Sequence, residues 1–419
     1  MRRRVAVTGL GCISPLGNTI DGMWANIIAG NSGVGIITHF DPSSFKTQIA
    51  AEVKDFDAAS LFGNREARRM DPFTQYALAS SLQAVEDAKL VINDSNRERI
   101  GVVIGSGIGG ITTLYEQVKI FIDRGPTRVS PFMVPMLIVD TAPGMVAIHL
   151  GVRGPNLAVV TACATGTNAI GEGAEIIRRG QADVILAGGT EAAIMPIAIA
   201  GLSVMTALSS RNDDPLRASR PFDLTRDGFV AGEGAAVLVL EALEFAQERG
   251  ATILAEIEGY GSTNDAFHIS APLDKGSGAS ACMKQALDNA GYKPSNIDYI
   301  NAHGTSTPLN DKSETIAIKS VFGELAYKIP VSSTKSMTGH LMGASGALEA
   351  AICVQILQNQ VIPATINYET PDPECDLDYV PNHPRPWKVN RILSNSFGFG
   401  GHNACLVFSH YNPSLENMT

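Results

Sequence analysis

One cysteine and two histidines stand in glycine-, threonine- and serine-rich turns, where side chains face a cleft rather than a core. Cys163 lies in VTACATGTNAIGEG, between an apolar, β-branched run at 156–161 and a small-residue stretch that starts at Ala164. The run predicts a buried strand. The stretch, with Ile170, Ile176 and Ile177, predicts a tightly packed helix ending before Gly180. A cysteine on so tight a turn has its sulfur at the helix N-terminus, where partial positive charge favours thiolate over thiol. The unpaired N–H groups there can also hold the oxyanion of a thioester under attack. A lone cysteine among alanines would be read as packing, but the histidine motifs reverse that reading. His303 sits in AHGTSTP and His340 in KSMTGHLMGASG, both beside expected strand ends. A solitary histidine is more often structural. A thiol with two imidazoles suits acyl transfer through a thioester, the imidazoles hydrogen-bonding a developing oxyanion. Lys335 and Glu349 are near His340 in sequence and could pair to fix its orientation and protonation; an ordinary surface pair would look the same.

The elements that must position these groups form a repeated plan. Residues 4–11 read as a strand running into a turn and 21–29 as a short helix. Residues 64–90 read as a helical region interrupted near Asp71 and Pro72, because proline is tolerated at a first turn and not inside a helix. After the Cys163 element come a buried strand (182–189), an irregular polar loop (209–234), a strand (235–241) and a helix (242–249) capped by Gly250. In the second half, 299–301 leads to His303, 330–334 is a strand before Lys335, and 344–360 is a helix with small residues on its first turns. Residues 391–401 end in SNSFGFGG, and 404–409 form a last strand. Strand, reactive side chain and small-residue helix thus recur. The expectation is an α/β chain of two similar halves, 1–250 and 251–412, with both reactive loops at strand C-terminal ends. Residues 99–110, RIGVVIGSGIGG, formally match a dinucleotide fingerprint at Gly105, Gly107 and Gly110. No second strand ending in an acidic residue appears about 20 residues on, so these glycines read as a tight turn near a pocket rather than an NAD site.

The 419 residues are 45% hydrophobic and only 18% charged, with 41 glycines, as in a globular protein with many close backbone contacts. A net charge of −10 argues against generic binding to nucleic acid or an anionic membrane. No apolar run reaches the roughly 18 residues of a membrane span, and the first residues lack the pattern of a signal peptide. Six scattered cysteines without a CxxC pair fit a reducing compartment and argue against structural zinc. Cytosol, or an organelle of similar redox state, follows. Arg65, Arg68 and Arg69, at i, i+3 and i+4, are expected on one helical face. Such a trio is commonly a solvated face, but in so acidic a chain it is also a docking site for an acidic partner.

VTACATGTNAIGEGAEIIRRGQADVILAGGTEA, NAHGTSTPLND, STKSMTGHLMGASGALEA and NSFGFGGHN, four motifs in order over nearly the whole chain, resemble the condensing enzymes of fatty-acid synthesis, the β-ketoacyl-[acyl-carrier-protein] synthases, and within them the type II group. The resemblance implies the thiolase fold, with duplicated βαβαβαββ halves in five αβαβα layers, and usually a homodimer. It implies that Cys163 accepts the acyl chain, that His303 and His340 bind the malonyl thioester and promote decarboxylation, and that Lys335 supports His340 with Glu349 as its partner. Backbone N–H groups of Cys163 and Phe399 would form the oxyanion hole, with Phe399 gating the acyl pocket. Ile108 and Leu202 would line the acyl channel, and Thr305, Thr307 and Gly400 would bind substrate. Arg65, Arg68 and Arg69 would dock acyl carrier protein, which brings both substrates; no metal or organic cofactor is implied. His402, Leu202 and Thr206 depart from the family pattern, where Thr, Phe and Arg are common. A thiolase would need a second cysteine, absent from FGFGGHN, and a chain-length factor would lack Cys163. A secondary-metabolite ketosynthase would keep every catalytic residue.

Overall fold

The strand Gly234–Ala242 is buried throughout, yet its two faces serve different cores. Ala236, Leu238, Leu240 and Ala242 enter one cluster, and Ala235, Val237 and Val239 enter another. Near-continuous apolar strands of this kind are what a sheet covered on both faces requires. The computed structural model describes residues 3–412. Ten strands form one sheet: β1 (Val5–Ile13), β2 (Ile100–Gly105), β3 (Asn156–Leu157), β4 (Val184–Glu191), β5 (Gly234–Ala242), β6 (Ala255–Asn264), β7 (Tyr299–Asn301), β8 (Val331–Ser332), β9 (Arg391–Gly398) and β10 (His402–Ser409). Their spatial order is β3-β2-β4-β5-β1-β6-β10-β9-β7-β8. In each set of five the third strand is outermost, followed by the second, fourth, fifth and first. The two sets meet where β1 and β6 pair antiparallel, Val5 opposite Ile257 and Val7 opposite Ala255.

Five helices complete the layers: α1 (Pro72–Asp87), α2 (Thr165–Arg178), α3 (Ser277–Ala290), α4 (Pro308–Phe322) and α5 (Ser345–Asn359). α1 begins with Pro72 at its first position and Asp71 as its cap, the carboxylate accepting the Phe73 N–H. It packs outside the first half through Phe73, Ala77 and Leu78, while α3 and α4 cover the second through Met283, Leu287 and Ile318. Between the halves lie α2 and α5, whose Ala169, Ile170, Leu348 and Ile352 share the central core. The result is the expected five-layer αβαβα arrangement. α2 and α5 approach so closely near their first turns that a Cβ on Gly346 would lie 2.1 Å from Thr167 Oγ1, and one on Gly166 would lie 2.6 Å from the Ala347 nitrogen. Only glycine fits there. Among the described residues no helix is long and apolar enough to cross a membrane.

Several expected elements differ. The 156–161 run is not a buried strand: only Asn156 and Leu157 pair, with Val102 and Val103, at the sheet's outer edge, and Leu157 and Val160 are half exposed. Their apolar character serves an uncovered edge, which periodicity cannot distinguish from a core. The 330–334 strand shrinks to Val331–Ser332. The 209–234 segment is irregular as expected, but it is largely packed inside, with Arg220, Asp223 and Arg226 buried. Arg226 bonds the Asp372 carboxylate and the Thr307 and Pro308 carbonyls, which ties this segment to the start of α4.

Candidate active site

Cys163 occupies a single 3-10 turn, Ala162–Ala164, immediately before α2. Ala162 is held at φ 50°, a left-handed conformation that L residues adopt at a cost, which tightens the turn. Gly398, at the end of β9, passes so near that a Cβ there would be 2.8 Å from the Thr161 oxygen and 3.0 Å from the Cys163 nitrogen. This close passage carries Phe399 to the cysteine, where its backbone N–H pulls the Cys163 thiol's pKa down. His303 follows β7, and its backbone N–H and that of Gly304 donate to the two oxygens of Glu314 on α4, at 2.8 Å each. His340 is pinned by main-chain bonds, its N–H to Val230 O at 2.8 Å and its carbonyl from Gly232 N at 2.9 Å. The two imidazoles stand edge to face, with ring centroids 5.4 Å apart.

Cys163, His303, His340, Thr305, Thr307 and Phe399 line one cavity of about 380 Å³. Thr305 and Thr307 share a hydroxyl contact of 2.9 Å on its wall, and Thr307 also caps α4. Lys335 is 1% exposed; its ammonium donates to the His303 carbonyl at 2.7 Å and pairs with the Glu349 carboxylate. The surface-pair alternative for these two residues is therefore excluded. Ser345 Oγ is 2.9 Å from His340 Nδ1. A hydroxyl donating to that nitrogen leaves Nε2 as the protonated donor.

Burial dominates the electrostatics. It holds His303 well below the ordinary imidazole range, helped by the charge of Lys335 and by His340, and it does the same for His340 with Lys335. Both imidazoles are neutral near pH 7. Burial pushes the Glu349 carboxyl up to about 7 against the pull of Lys335. It pushes the Cys163 thiol up to about 11, with Lys335 and the Phe399 N–H pulling the other way. The expectation of a resting thiolate therefore fails. A helix terminus contributes at most about 2 kcal/mol, or roughly 1.5 pH units, which leaves the thiol protonated at neutral pH.

Residues 2–246 match the family described as beta-ketoacyl synthase, N-terminal domain, and residues 254–369 its C-terminal domain. The chain belongs to the β-ketoacyl synthase family. It is 54% identical to a 3-oxoacyl-[acyl-carrier-protein] synthase 2 of Synechocystis over 98% of this chain and 99% of the relative. It is 52% identical to the same-named protein of Coxiella burnetii over 97% and 99%. Among solved structures, a type II polyketide ketosynthase in complex with its acyl-carrier protein superposes with a TM-score of 0.91 at 36% identity, covering 98% of this chain and 100% of that one.

Not every expected residue of this β-ketoacyl synthase reaches the cavity. Gly400, at φ 80°, lies on the Phe399–Gly401 turn between two lining residues. Leu202 packs behind the wall, in the cluster that contains Phe229 and Ala207. Ile108 is 38% exposed and lies apart from the cavity. The three arginines share no continuous helix, because Asn64–Ala67 ends with Arg68 as its cap. Arg65 and Arg68 are exposed, whereas Arg69 lies 5.0 Å over the Phe132 ring and 3.5 Å from Glu66. The glycines of the dinucleotide-like motif bind no phosphate here: the Gly107 and Ile108 N–H groups are taken by the buried Glu191 carboxylate at 2.8 and 3.2 Å. Glu191, Glu314 and Ser345 are the residues that sequence reasoning missed. Ser345 was within reach, five residues past His340, but nothing in NDKSETIAIK marks Glu314 as the support of a loop eleven residues earlier.

The protonated thiol has a kinetic consequence. Alkylation of Cys163 by iodoacetamide should accelerate by about tenfold per pH unit from about pH 7 to about pH 9 without levelling, because thiolate is the nucleophile. A plateau below about pH 8 would show a thiolate already formed at rest.

Proposed function

We propose that this chain is a β-ketoacyl-[acyl-carrier-protein] synthase that lengthens an acyl chain by two carbons through decarboxylative Claisen condensation. The observation that carries this reading is one cavity lined together by a thiol, two neutral imidazoles and a pair of threonines. Cys163 Sγ attacks the acyl thioester carbonyl, and a neutral histidine takes the thiol proton. The backbone N–H groups of Cys163 and Phe399 hold the oxyanion. The tetrahedral intermediate collapses, the carrier thiolate leaves and recovers that proton, and the acyl group stays on sulfur. Malonyl thioester then binds with its carbonyl oxygen between His303 and His340, CO2 leaves, and the enolate carbon attacks the acyl-Cys163 carbonyl. The C–S bond breaks, the β-ketoacyl thioester departs on the carrier, and the Cys163 thiolate that is released takes a proton from water to return to the resting thiol. Lys335 and Glu349 support the imidazoles, Thr305, Thr307 and Gly400 hold the carrier's arm, and Phe399 gates the acyl channel beside Ile108 and Leu202. No metal or organic cofactor takes part.

Acyl carrier protein is the partner, docking at Arg65 and Arg68 with Arg69 behind them. The relatives' names and the carrier complex of the polyketide ketosynthase support this assignment. The uncovered apolar edge at Leu157 and Val160 supports a homodimer. Six free, buried cysteines fit a reducing cytoplasm. Functionally, residues 1–250 supply the nucleophile and 251–412 the two histidines. A secondary-metabolite ketosynthase would use the same groups; 54% identity to a 3-oxoacyl synthase 2 against 36% to a polyketide enzyme favours fatty-acid elongation.

Cys163→Ala should gain no acyl mass from acyl carrier protein yet still decarboxylate malonyl carrier. His303→Ala and His340→Ala should take up the acyl group and lose decarboxylation by about 10²–10³, the usual cost of one oxyanion donor. Acyl mass on the Cys163 variant, or normal condensation by either histidine variant, contradicts the assignment. Reversing Arg65, Arg68 and Arg69 to Glu should raise the Michaelis constant for the carrier and weaken its salt dependence, with transfer from acyl-pantetheine near normal. Equal loss with the small thioester would rule out docking.

A further inference from the structure

The strand orders of the two halves are the same, so the turn before α5 stands in the second half where the Cys163 turn stands in the first. The local geometry agrees. Met342–Ala344 is also a 3-10 turn, it also opens on a left-handed residue, Met342 at φ 44°, and it also runs straight into a helix. Gly343 therefore holds the position equivalent to Cys163. At Cys163, on the proposed reading, the N–H groups of the turn would face a thioester. At Gly343 the corresponding N–H points at Glu191 Oε2, 3.0 Å away. The same oxygen accepts the Gly107 N–H at 2.8 Å, and Oε1 accepts the Ile108 N–H at 3.2 Å and the Ser106 hydroxyl at 2.8 Å. Glu191 is 0% exposed. One buried carboxylate thus satisfies three backbone donors and a hydroxyl drawn from both halves of the molecule.

The bonded loop is also next to the nucleophile. A Cβ on Gly107 would lie 2.7 Å from Glu191 Oε2 and 3.6 Å from the Ala162 oxygen, and one on Gly343 would lie 2.4 Å from the Gly107 nitrogen. Neither His303 nor His340 is held by this carboxylate; Glu314 and the 230–232 backbone hold them. We propose that Glu191 is a positioning residue for acyl transfer: it fills, as a built-in anion, the N–H nest equivalent to the Cys163 oxyanion site, and so sets the loop carrying Ile108 against the nucleophile's turn. The consequence is selective. The second turn is barred from acting as an acyl-transfer site, and the loop that meets a long acyl chain is held rigid; the carboxylate reaches the decarboxylation side only through the Gly343 N–H, two residues before the Ser345 that bonds His340. This inference rests on the proposed reading that places Ile108 along the acyl channel.

Acyl transfer to Cys163 from short and long acyl-coenzyme A thioesters, and CO2 release from malonyl carrier, test it in four variants. Glu191→Ala empties the nest. Long-chain transfer should fall about tenfold or more, the scale of hydrogen bonds to a charged group, while acetyl transfer and CO2 release stay within about twofold. Added formate, a small carboxylate that fits three N–H donors, should restore much of the long-chain rate in Glu191→Ala and have no effect in Glu191→Gln, where the nest stays filled. Ser106→Ala, which removes one donor, should show a smaller loss in the same direction and keeps the test alive if Glu191→Ala does not fold. Ile108→Phe checks the channel reading by itself, since it should shorten the longest accepted chain. Equal losses on all substrates with no response to formate, or long-chain transfer at the wild-type rate in Glu191→Ala, would overturn the role of Glu191. An unchanged chain-length profile in Ile108→Phe would instead overturn the channel on which it rests.

Discussion

The close approach of α2 and α5 is the constraint on which the site depends. Each helix follows a one-turn 3-10 segment, and each brings its first turn to the molecular centre only because Gly166 and Gly346 leave room for the other's backbone. From there the remaining geometry follows. Cys163 precedes one helix, Gly343 and His340 precede the other, and β9 between them carries Phe399 to the cysteine. Thr167 and Ser396 bond across the same junction at 2.7 Å, which ties α2 to β9 at the crossing. Larger side chains at the crossing would separate the thiol from the imidazoles without touching either.

The second organising force is desolvation. Histidines in water would be roughly one quarter charged at pH 7, and a cationic imidazole cannot take the cysteine's proton. Burial and the nearby Lys335 ammonium keep both imidazoles neutral. Lys335 is stable there because the Glu349 carboxylate and the His303 carbonyl accept from it. The same burial keeps the thiol protonated, so deprotonation is coupled to attack rather than completed beforehand. A site of this kind is chemically quiet until a thioester fills it.

Much of this was legible in the residues. Cys163, His303 and His340 stand out because glycines and threonines set them in turns beside strand ends, Phe399 is marked only by the family resemblance, and the repeat of strand, reactive side chain and small-residue helix announced the duplication. What stayed hidden falls into two kinds. Glu191 and Glu314 act through backbone N–H groups far from them in sequence, and such contacts leave no periodic trace. Edge and interior strands are the other kind: the run Leu157–Val160 has the composition of a core strand, yet Leu157 and Val160 are half exposed at the sheet's outer edge, because an apolar run does not record whether anything covers it. The charge state of Cys163 was misjudged for a third reason. The helix terminus is readable in sequence, but the depth of burial that outweighs it is a property of the assembled halves.

The claim that one thiol and two imidazoles act in successive half-reactions within one cavity is tested most directly by a single turnover. Enzyme acylated at Cys163 and freed of donor would be mixed with malonyl carrier, and CO2, acyl-enzyme mass and β-ketoacyl carrier followed by rapid quench. The account predicts one CO2 released for each acyl group lost from Cys163 and each β-ketoacyl carrier formed. β-Ketoacyl carrier formed while the acyl group remains on Cys163, or formed without CO2, would contradict it.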